Sequence, residues 1–352
     1  MTQGEFQRSG SGRIWYLEWL RVAACLAVVL IHRFSTILDN ASVSGVGIGR
    51  ALAWTELLVV FGRWAVPVFL MVTGALLLDP SRVMGWGKTF RYAGRMVAVL
   101  LVFGSAFALM EIVFESRSFS LGMVPAAFLR VFQERSWAHL WYLYDLIGVY
   151  LLLPLLRAFV AEGDEGRQAT FLVVLLLVAL VVPTLDAATG LGVARVGWLG
   201  SSVFYVLLGW YLHRFGAPKR LALAVGLACI LVAVALAGLG IVLCNEYLGW
   251  VWAPSSPLIA GYSAVVFLMA RDWAGSPRSS KIARLIAVVS SLSFAVYLMH
   301  PVVCNLLYKA LGWASAPLPP VLFELTTYAC VFFSSLVMAT ALKKVPLIGR
   351  ML

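Results

Sequence analysis

Charged residues are scarce in this chain: they make up 12% of its 352 residues, while 62% are hydrophobic and the mean hydropathy is +0.93. Water-soluble domains do not tolerate this composition, so a soluble fold is excluded. The sequence also lacks low-complexity segments, obvious internal repeats and any second soluble domain. We therefore expect residues 1–352 to form one membrane-embedded domain, in which residues 1–13 are a polar cytoplasmic N-terminal segment.

Cysteine and histidine are too few and too widely spaced for a disulfide framework or a metal site. The five cysteines lie within or at the ends of apolar runs, where they are expected to act as small packing residues. Among the histidines no pair has the three- or four-residue spacing of metal ligands, and we predict no metal. The first apolar run lacks a small-residue cleavage site and carries Arg21 and His32, which argues against a cleaved signal peptide.

The net charge of +11 does not indicate nucleic-acid binding. The basic residues lie in short interruptions between apolar runs and form no continuous stripe. This distribution is typical of membrane topology signals, so we predict a lipid bilayer as partner and no nucleic acid.

Hydrophobic windows are the dominant feature of the sequence. A hydrocarbon core of ~30 Å requires about 20 apolar residues per helix. The eighth window is the weakest, because Pro254 and Pro257 shorten its apolar stretch. The windows predict an all-α, polytopic bundle of about ten helices, near residues 15–35, 55–78, 92–114, 138–160, 168–186, 197–214, 220–243, 254–271, 284–307 and 320–342.

The distribution of basic residues predicts the orientation of this bundle. With the N-terminus in the cytoplasm, the 27 Lys and Arg residues divide into 18 on the cytoplasmic side, 6 on the opposite side and 3 within helices. Cytoplasmic loops are normally the ones enriched in Lys and Arg. We therefore expect both termini to be cytoplasmic.

The first predicted helix contains the ionisable residues Glu18, Arg21 and His32. Ionisable groups within the bilayer are costly and are therefore functional candidates. Arg21 and His32 are eleven residues apart, which places them on one helix face about 16 Å apart along the axis. Glu18 lies one turn below Arg21, at ion-pairing spacing. A structural alternative is an interfacial Glu18–Arg21 ion pair with His32 as a hydrogen-bonded packing residue.

Further polar side chains are predicted at the same depth as His32, near the non-cytoplasmic ends of three other helices. Their joint occurrence predicts a polar cavity that opens to the non-cytoplasmic side. Each aromatic residue alone has an alternative explanation, since Trp and Tyr are enriched at membrane interfaces. The residues of this predicted cavity are Arg63, His139, Trp141, Tyr144, Asp145, Tyr297 and His300.

A cluster of basic residues lies on the predicted cytoplasmic side, at the start of the third predicted helix. It comprises Arg82, Lys88, Arg91 and Arg95. Such a cluster is either a positive-inside signal or a site for a polyanionic phosphate ligand.

Five blocks of sequence are similar, in order, to blocks of one known family. They are YLEWLRVAACLAVVLIH (16–32), VPVFLMVTGALLL (66–78), HLWYLYDLIGVYLLLPLL (139–156), LGWYL (208–212) and SLSFAVYLMHPVV (291–303). The chain thereby resembles the bacterial acyltransferase-three family, which are integral membrane enzymes that O-acylate sugars and other cell-envelope acceptors. The Arg and His of the first block and the HLWYLY motif are the most specific elements.

The resemblance implies that the chain is an O-acetyltransferase or related O-acyltransferase of the bacterial cytoplasmic membrane. It would take an acyl group, usually acetyl, from cytoplasmic acyl-CoA and deliver it to a hydroxyl on the far side. The family's essential His and Arg map onto His32 and Arg21. Its basic pair, with two residues between, matches Lys88 and Arg91, whereas Arg91 and Arg95 are one residue too far apart. We therefore expect Lys88, Arg91 and Arg95 to include the acyl-CoA ligands, and the residues of the predicted non-cytoplasmic cavity to bind the acceptor.

Several mechanistic alternatives remain open at this point. His32 is the candidate base or, in a ping-pong mechanism, the transient acyl carrier, and Cys25 on the same face is a second candidate carrier. Arg21 would orient the donor, with Glu18 setting its geometry. The competing functions are a proton-coupled transporter or flippase of an envelope precursor, and a non-catalytic sensor or scaffold. The sequence defines neither the acceptor nor the oligomeric state.

Overall fold

The structure is a computed structural model that describes residues 13–44, 59–82, 84–133, 136–192, 199–240, 248–311 and 320–352. Within these ranges every regular element is helical, which confirms the all-α prediction. Eight helical segments of the described chain are long and apolar enough to cross a membrane. The protein is therefore a multi-pass membrane protein built as a helical bundle.

The helices follow one another with mostly short connections. In chain order they are α1 (Trp15–Ser44), α2 (Ala65–Leu77), α3 (Trp86–Ser116), α4 (Met123–Phe132), α5 (Trp141–Glu162), α6 (Glu165–Leu175), α7 (Val182–Thr189), α8 (Leu199–Arg214), α9 (Lys219–Leu239), α10 (Pro257–Trp273), α11 (Ser280–Leu311), α12 (Pro320–Lys344) and α13 (Pro346–Met351).

All ten hydrophobic windows contain helix. Eight of them correspond to the candidate spans, including the eighth window, whose span runs over Gly249–Trp273. There Pro257 occupies the first turn of α10, where proline is tolerated, and Ser256 caps the helix by accepting from the Leu258 amide. The other two windows correspond to α1, which has 30 residues, and α8, which has 16.

Two windows that read as single helices are interrupted in the structure, and proline explains both interruptions. In the second window the helix is broken by a turn at Arg63–Trp64, because Pro67 has no N–H to donate to the Arg63 carbonyl. In the fifth window a π-helical turn, Leu176–Val181, separates α6 from α7 just before Pro183.

The short helix α4 lies outside every predicted window. With ten residues it is half the length of a span, so a hydropathy search for spans overlooks it. It packs against α3 through the buried residues Ala127 and Val131 and leaves Phe128 and Phe132 exposed.

The chain divides into two compact units. The first unit comprises Met1–Leu76 and Asp164–Ala341, and in it α1 packs against α10 and α11. The second unit comprises Leu77–Gly163 and Leu342–Leu352, and in it α3 packs against α4, α5 and α13.

Helices α2 and α8 cross at two glycines in the first unit. A Cβ atom at Gly74 would overlap the carbonyl oxygen of Val206, and one at Gly209 would overlap the carbonyl oxygen of Met71. Each glycine therefore faces the backbone of the other helix. Small residues at such crossings allow the close backbone approach on which helix association in membranes depends.

Gly209→Ala should therefore destabilise the protein. The added methyl group meets main-chain atoms, which cannot rotate away, so the helices must separate at a cost of about 1–3 kcal/mol. Gly238→Ala in α9 is the matched control, because nothing lies within 4 Å of its Cβ position. Thermal unfolding in one detergent should show a lower midpoint for Gly209→Ala alone. Equal midpoints for the two variants would contradict the close crossing.

Candidate active site

Two histidines from distant parts of the sequence meet in the first unit. His32 lies on α1 and His300 on α11, and their ring centroids are 4.9 Å apart at an interplanar angle of 53°. His300 is fully buried, and His32 is partly buried. The Cys25 thiol, two turns earlier on α1, lies 4.0 Å from the Ser293 carbonyl of α11. The two helices therefore pack together over the whole stretch that leads to the histidines.

The protonation of His300 is defined by its own helix. Its Nδ1 lies 3.2 Å from the Val296 carbonyl oxygen, which can only accept a hydrogen bond. Nδ1 therefore carries the hydrogen in the neutral ring, and Nε2 carries the lone pair. Pro301 follows within α11 and has no N–H to donate to the Tyr297 carbonyl. The Tyr297 ring lies 6.2 Å from that of His300.

Arg63 is the third polar group of this centre. It lies at the break before α2, and its charge interacts electrostatically with His32. Gly62 makes this proximity possible, since a Cβ there would lie 2.6 Å from Ile31 Cγ1 and 3.0 Å from the Ala27 carbonyl oxygen of α1. The Tyr262 hydroxyl of α10 donates to the Phe61 carbonyl at 3.2 Å and braces the broken segment.

A buried cation lies next to His32 in sequence. Arg33 is 1% exposed, and its Nε and Nη2 atoms donate to Thr327 Oγ1 at 3.1 and 3.0 Å. Two turns earlier on α1, the Leu26 carbonyl accepts a hydrogen bond from the Tyr328 hydroxyl at 3.0 Å. These bonds attach α12 to α1 beside the histidines. Sequence reasoning did not single out Arg33, although a charge adjacent to the candidate base was a usable signal.

Glu18 and Arg21 lie on the same uninterrupted helix as His32. Both side chains are partly buried. Because α1 is continuous from Trp15 to Ser44, the eleven-residue spacing does place Arg21 and His32 on one face, about 16 Å apart along the axis. Their roles in donor binding and catalysis stay predictions.

The remaining acceptor candidates belong to the second unit. His139 and Asp145 are buried, whereas Trp141 is 40% exposed. The His139 ring lies 5.7 Å from Phe107 and 6.1 Å from Trp137, within an aromatic cluster. The Tyr144 hydroxyl donates to the Val131 carbonyl of α4.

These contacts give His139 and Tyr144 packing roles within the second unit. That these residues share a pocket with His32 stays a prediction.

The basic cluster of α3 divides into two parts. Lys88 and Arg91 are exposed. Arg95 is partly buried, and its Nε donates to the Met351 carbonyl at 2.7 Å, which satisfies a terminal carbonyl of α13. Lys88 and Arg91 have the spacing of a basic pair and are the exposed candidates for a phosphate ligand, whereas Arg95 makes a structural contact; the acyl-CoA-binding role of all three stays a prediction.

Comparison with known families decides the class of protein. A family model described as an acyltransferase domain, the acyltransferase-three family, matches residues 14–343. The chain belongs to this acyltransferase family. No curated protein and no solved structure matches the chain.

The family match spans nearly all described helices of this membrane acyltransferase, from α1 to the end of α12. It includes both histidines, Arg63, and the exposed pair Lys88 and Arg91. The enzyme class therefore follows from the family match. Within it, the contact between His32 of α1 and His300 of α11 marks the candidate catalytic centre.

The acyltransferase has two further polar clusters that sequence reasoning missed. In the first unit the Tyr16 hydroxyl and His213 Nδ1 are hydrogen-bonded, and the Tyr16 hydroxyl also interacts electrostatically with Arg271. In the second unit the Arg157 guanidinium donates to the carbonyls of Leu77, Asp79 and Arg82, at 3.0 Å for Asp79. Arg157 thereby orders the connection between α2 and α3.

Proposed function

We propose that this acyltransferase moves an acyl group, usually acetyl, from cytoplasmic acyl-CoA to a hydroxyl of a sugar or other cell-envelope acceptor. Its location would be the cytoplasmic membrane of a bacterium, with both termini in the cytoplasm. The observation that carries the proposal is the contact of His32 with His300, beside Arg63, in a chain of this family. A base and a cation are the two groups that acyl transfer to a hydroxyl requires.

His32 is the catalytic residue in this proposal. Its unprotonated ring nitrogen takes the proton of the acceptor hydroxyl while the oxygen attacks the thioester carbonyl. The carbon–sulfur bond then breaks, and the CoA sulfur leaves with the proton returned by His32. The products are the acyl ester and CoA, so that atoms and charge balance without a metal or a redox partner.

Arg63 supports the same step through its charge. The attacked carbonyl oxygen becomes negative in the transition state, and a fixed cation stabilises it most effectively where water is excluded. Arg63 was predicted from the sequence as an acceptor ligand. Its electrostatic interaction with His32 supports a role at the reacting atoms instead.

Donor binding is assigned to Arg21 and to the basic pair Lys88 and Arg91. Arg21, with Glu18 setting its geometry, would orient the acyl thioester below His32 on α1. Lys88 and Arg91 would bind the CoA phosphates, since both are exposed and have the family's spacing. Acceptor binding remains the proposed role of Tyr297 and, separately, of His139, Trp141, Tyr144 and Asp145, since ring faces and a carboxylate suit a sugar.

Arg91→Ala should weaken acetyl-CoA binding without unfolding the protein. A charge-assisted hydrogen bond to phosphate contributes about 1.5–3 kcal/mol, which corresponds to a rise in Kd of about 10- to 150-fold. Arg167→Ala, which removes an exposed cation from α6, is the matched control and should leave Kd unchanged.

Arg95→Ala should instead lower the melting temperature, because the Met351 carbonyl loses its donor. Calorimetric titration and thermal melts measure the two effects. Unchanged affinity in both Arg91→Ala and Lys88→Ala would reduce the cluster to a topology signal.

The proposed function is tested directly with purified protein in nanodiscs. Labelled acetyl-CoA is incubated with a panel of cell-envelope glycans, and mass spectrometry follows CoA release and the acylated product. The expected result is an O-acetyl ester on one acceptor class. If no acceptor consumed the donor while proteoliposomes transported an envelope precursor with protons, the flippase alternative would replace the proposal.

A further inference from the structure

Lys343, in the last turn of α12, lies beside the basic cluster of α3, although the two are far apart in the sequence. Its charge interacts electrostatically with that of Arg95. Both side chains are partly buried, and both belong to the second unit. Two cations held this close repel each other, and a bound anion relieves that repulsion. The pair is therefore a candidate anion site.

The short helix α13 holds Lys343 in this place. The Nε of Arg95 donates to the Met351 carbonyl of α13 at 2.7 Å. Two residues earlier, Gly349 packs on the backbone of Lys343, since a Cβ at Gly349 would lie 2.2 Å from the Lys343 carbonyl oxygen. α13 thus contacts both the backbone of Lys343 and the side chain of Arg95, and it joins the end of α12 to α3.

The basic residues of α3 form one stripe that ends at this pair. Lys88, Arg91 and Arg95 are separated by three and four residues, so they lie on one face of the helix and span about 10 Å along its axis. Lys88 and Arg91 are exposed. Asp79, the acidic residue nearest to the stripe in the sequence, interacts with Arg157 instead. The stripe therefore suits a ligand that carries more than one phosphate.

We propose that Lys343 is a further donor-binding residue, which binds the phosphate groups of acyl-CoA together with Lys88 and Arg91. Arg95 is the positioning residue, because its bond to α13 keeps Lys343 beside the stripe. The inference rests on the proposed function, in which acyl-CoA is the donor. CoA has a pyrophosphate and a 3′-phosphate, and an anionic lipid headgroup offers the same chemistry, so the test separates the two sources.

Three variants isolate the side-chain charge of Lys343. Lys343→Gln removes the charge and leaves the main chain that packs on Gly349 unchanged. Lys344→Gln is the matched control, because Lys344 is exposed, lies in the same last turn of α12 and loses the same charge. Effects of net charge and of the helix dipole are therefore equal in the two variants. Lys343→Arg keeps the charge and should bind like the wild type.

The binding test is a calorimetric titration of acetyl-CoA into full-length protein in nanodiscs of neutral phosphatidylcholine. Lys343→Gln should raise Kd about tenfold, whereas Lys344→Gln and Lys343→Arg should stay within about twofold of wild type. An unchanged Kd in Lys343→Gln, or an equal rise in Lys344→Gln, would overturn the inference and leave the proposed function standing. Wild-type protein that bound no acetyl-CoA would overturn both.

Thermal melts distinguish ligand binding from a structural role. Without ligand, Lys343→Gln should melt no lower than wild type, because it loses a repelling charge. Saturating acetyl-CoA should then raise the melting temperature of wild type more than that of the variant. A lower melting temperature of the unliganded variant would make Lys343 structural and overturn the proposal. Wild-type affinity for acetyl-CoA with less co-purified phosphatidylglycerol in Lys343→Gln would assign the cluster to a lipid headgroup, which also overturns it.

Discussion

His32→Gln should abolish acyl transfer in a protein that still folds. Glutamine keeps hydrogen-bonding capacity at this position but has no basic nitrogen, so no group at this position accepts the proton of the acceptor hydroxyl. General base catalysis contributes about 10²- to 10⁴-fold, and kcat should fall by that factor. In wild type the rate should rise with pH as the imidazolium loses its proton, because only neutral imidazole accepts one.

Two controls separate catalysis from folding. His32→Ala should be as inactive as His32→Gln, whereas His213→Gln, at a histidine bonded to Tyr16, should retain activity. All three should keep melting temperatures close to wild type. Substantial turnover in well-folded His32→Gln would remove His32 from the mechanism and make His139 or His300 the next candidates.

Arg63→Gln should produce the second large loss, of about 10²- to 10³-fold in kcat, with little change in KM for the acceptor. The positive charge beside His32 is then missing when the carbonyl oxygen becomes negative. Because Gly62, which packs on α1, and the break before α2 are unchanged, the backbone around the site should remain as it is.

Arg63→Lys supplies the comparison, since it keeps the charge but loses the planar fork of the guanidinium. It should recover part of the lost activity. Steady-state kinetics with the acceptor varied at saturating acetyl-CoA distinguishes the two possible roles of Arg63. A raised KM with an unchanged kcat in Arg63→Gln would return Arg63 to the acceptor-binding role predicted from the sequence.

Hydropathy predicted the helices well, because a bilayer requires long apolar segments whatever their partners. It did not locate the break at Arg63–Trp64, since a window average is insensitive to a single Pro67. The same limit applies to the π-turn before Pro183. In both places a proline is present in the sequence, and its missing N–H explains the interruption of the helix.

The sequence predicted the depth of the candidate site in the membrane, but it did not predict which helix faces turn towards one another. The predicted topology placed His32, Arg63 and His300 near one membrane face, and the structure brings His32 and His300 into contact. Arg63 interacts electrostatically with His32. Hydropathy does not define which side chains face each other, so the bond from Arg33 to Thr327, 294 residues away, was not predictable.

The role of Arg95 was also hidden from the sequence. Its spacing from Arg91 differed from that of the family's basic pair, and the structure gives it a bond to the Met351 carbonyl. Such a contact depends on where the chain returns after α12, which no local pattern reveals.

We propose that acyl transfer at His32 joins a donor on one face of the membrane to an acceptor on the other. The most direct test uses proteoliposomes of known protein orientation that contain an acylatable glycan, with labelled acetyl-CoA added outside. Vesicles whose protein exposes its N- and C-termini outside should accumulate the acetylated glycan in the lumen, and His32→Gln vesicles should not. Product formed only when donor and glycan share one compartment, or formed equally by His32→Gln, would contradict the account.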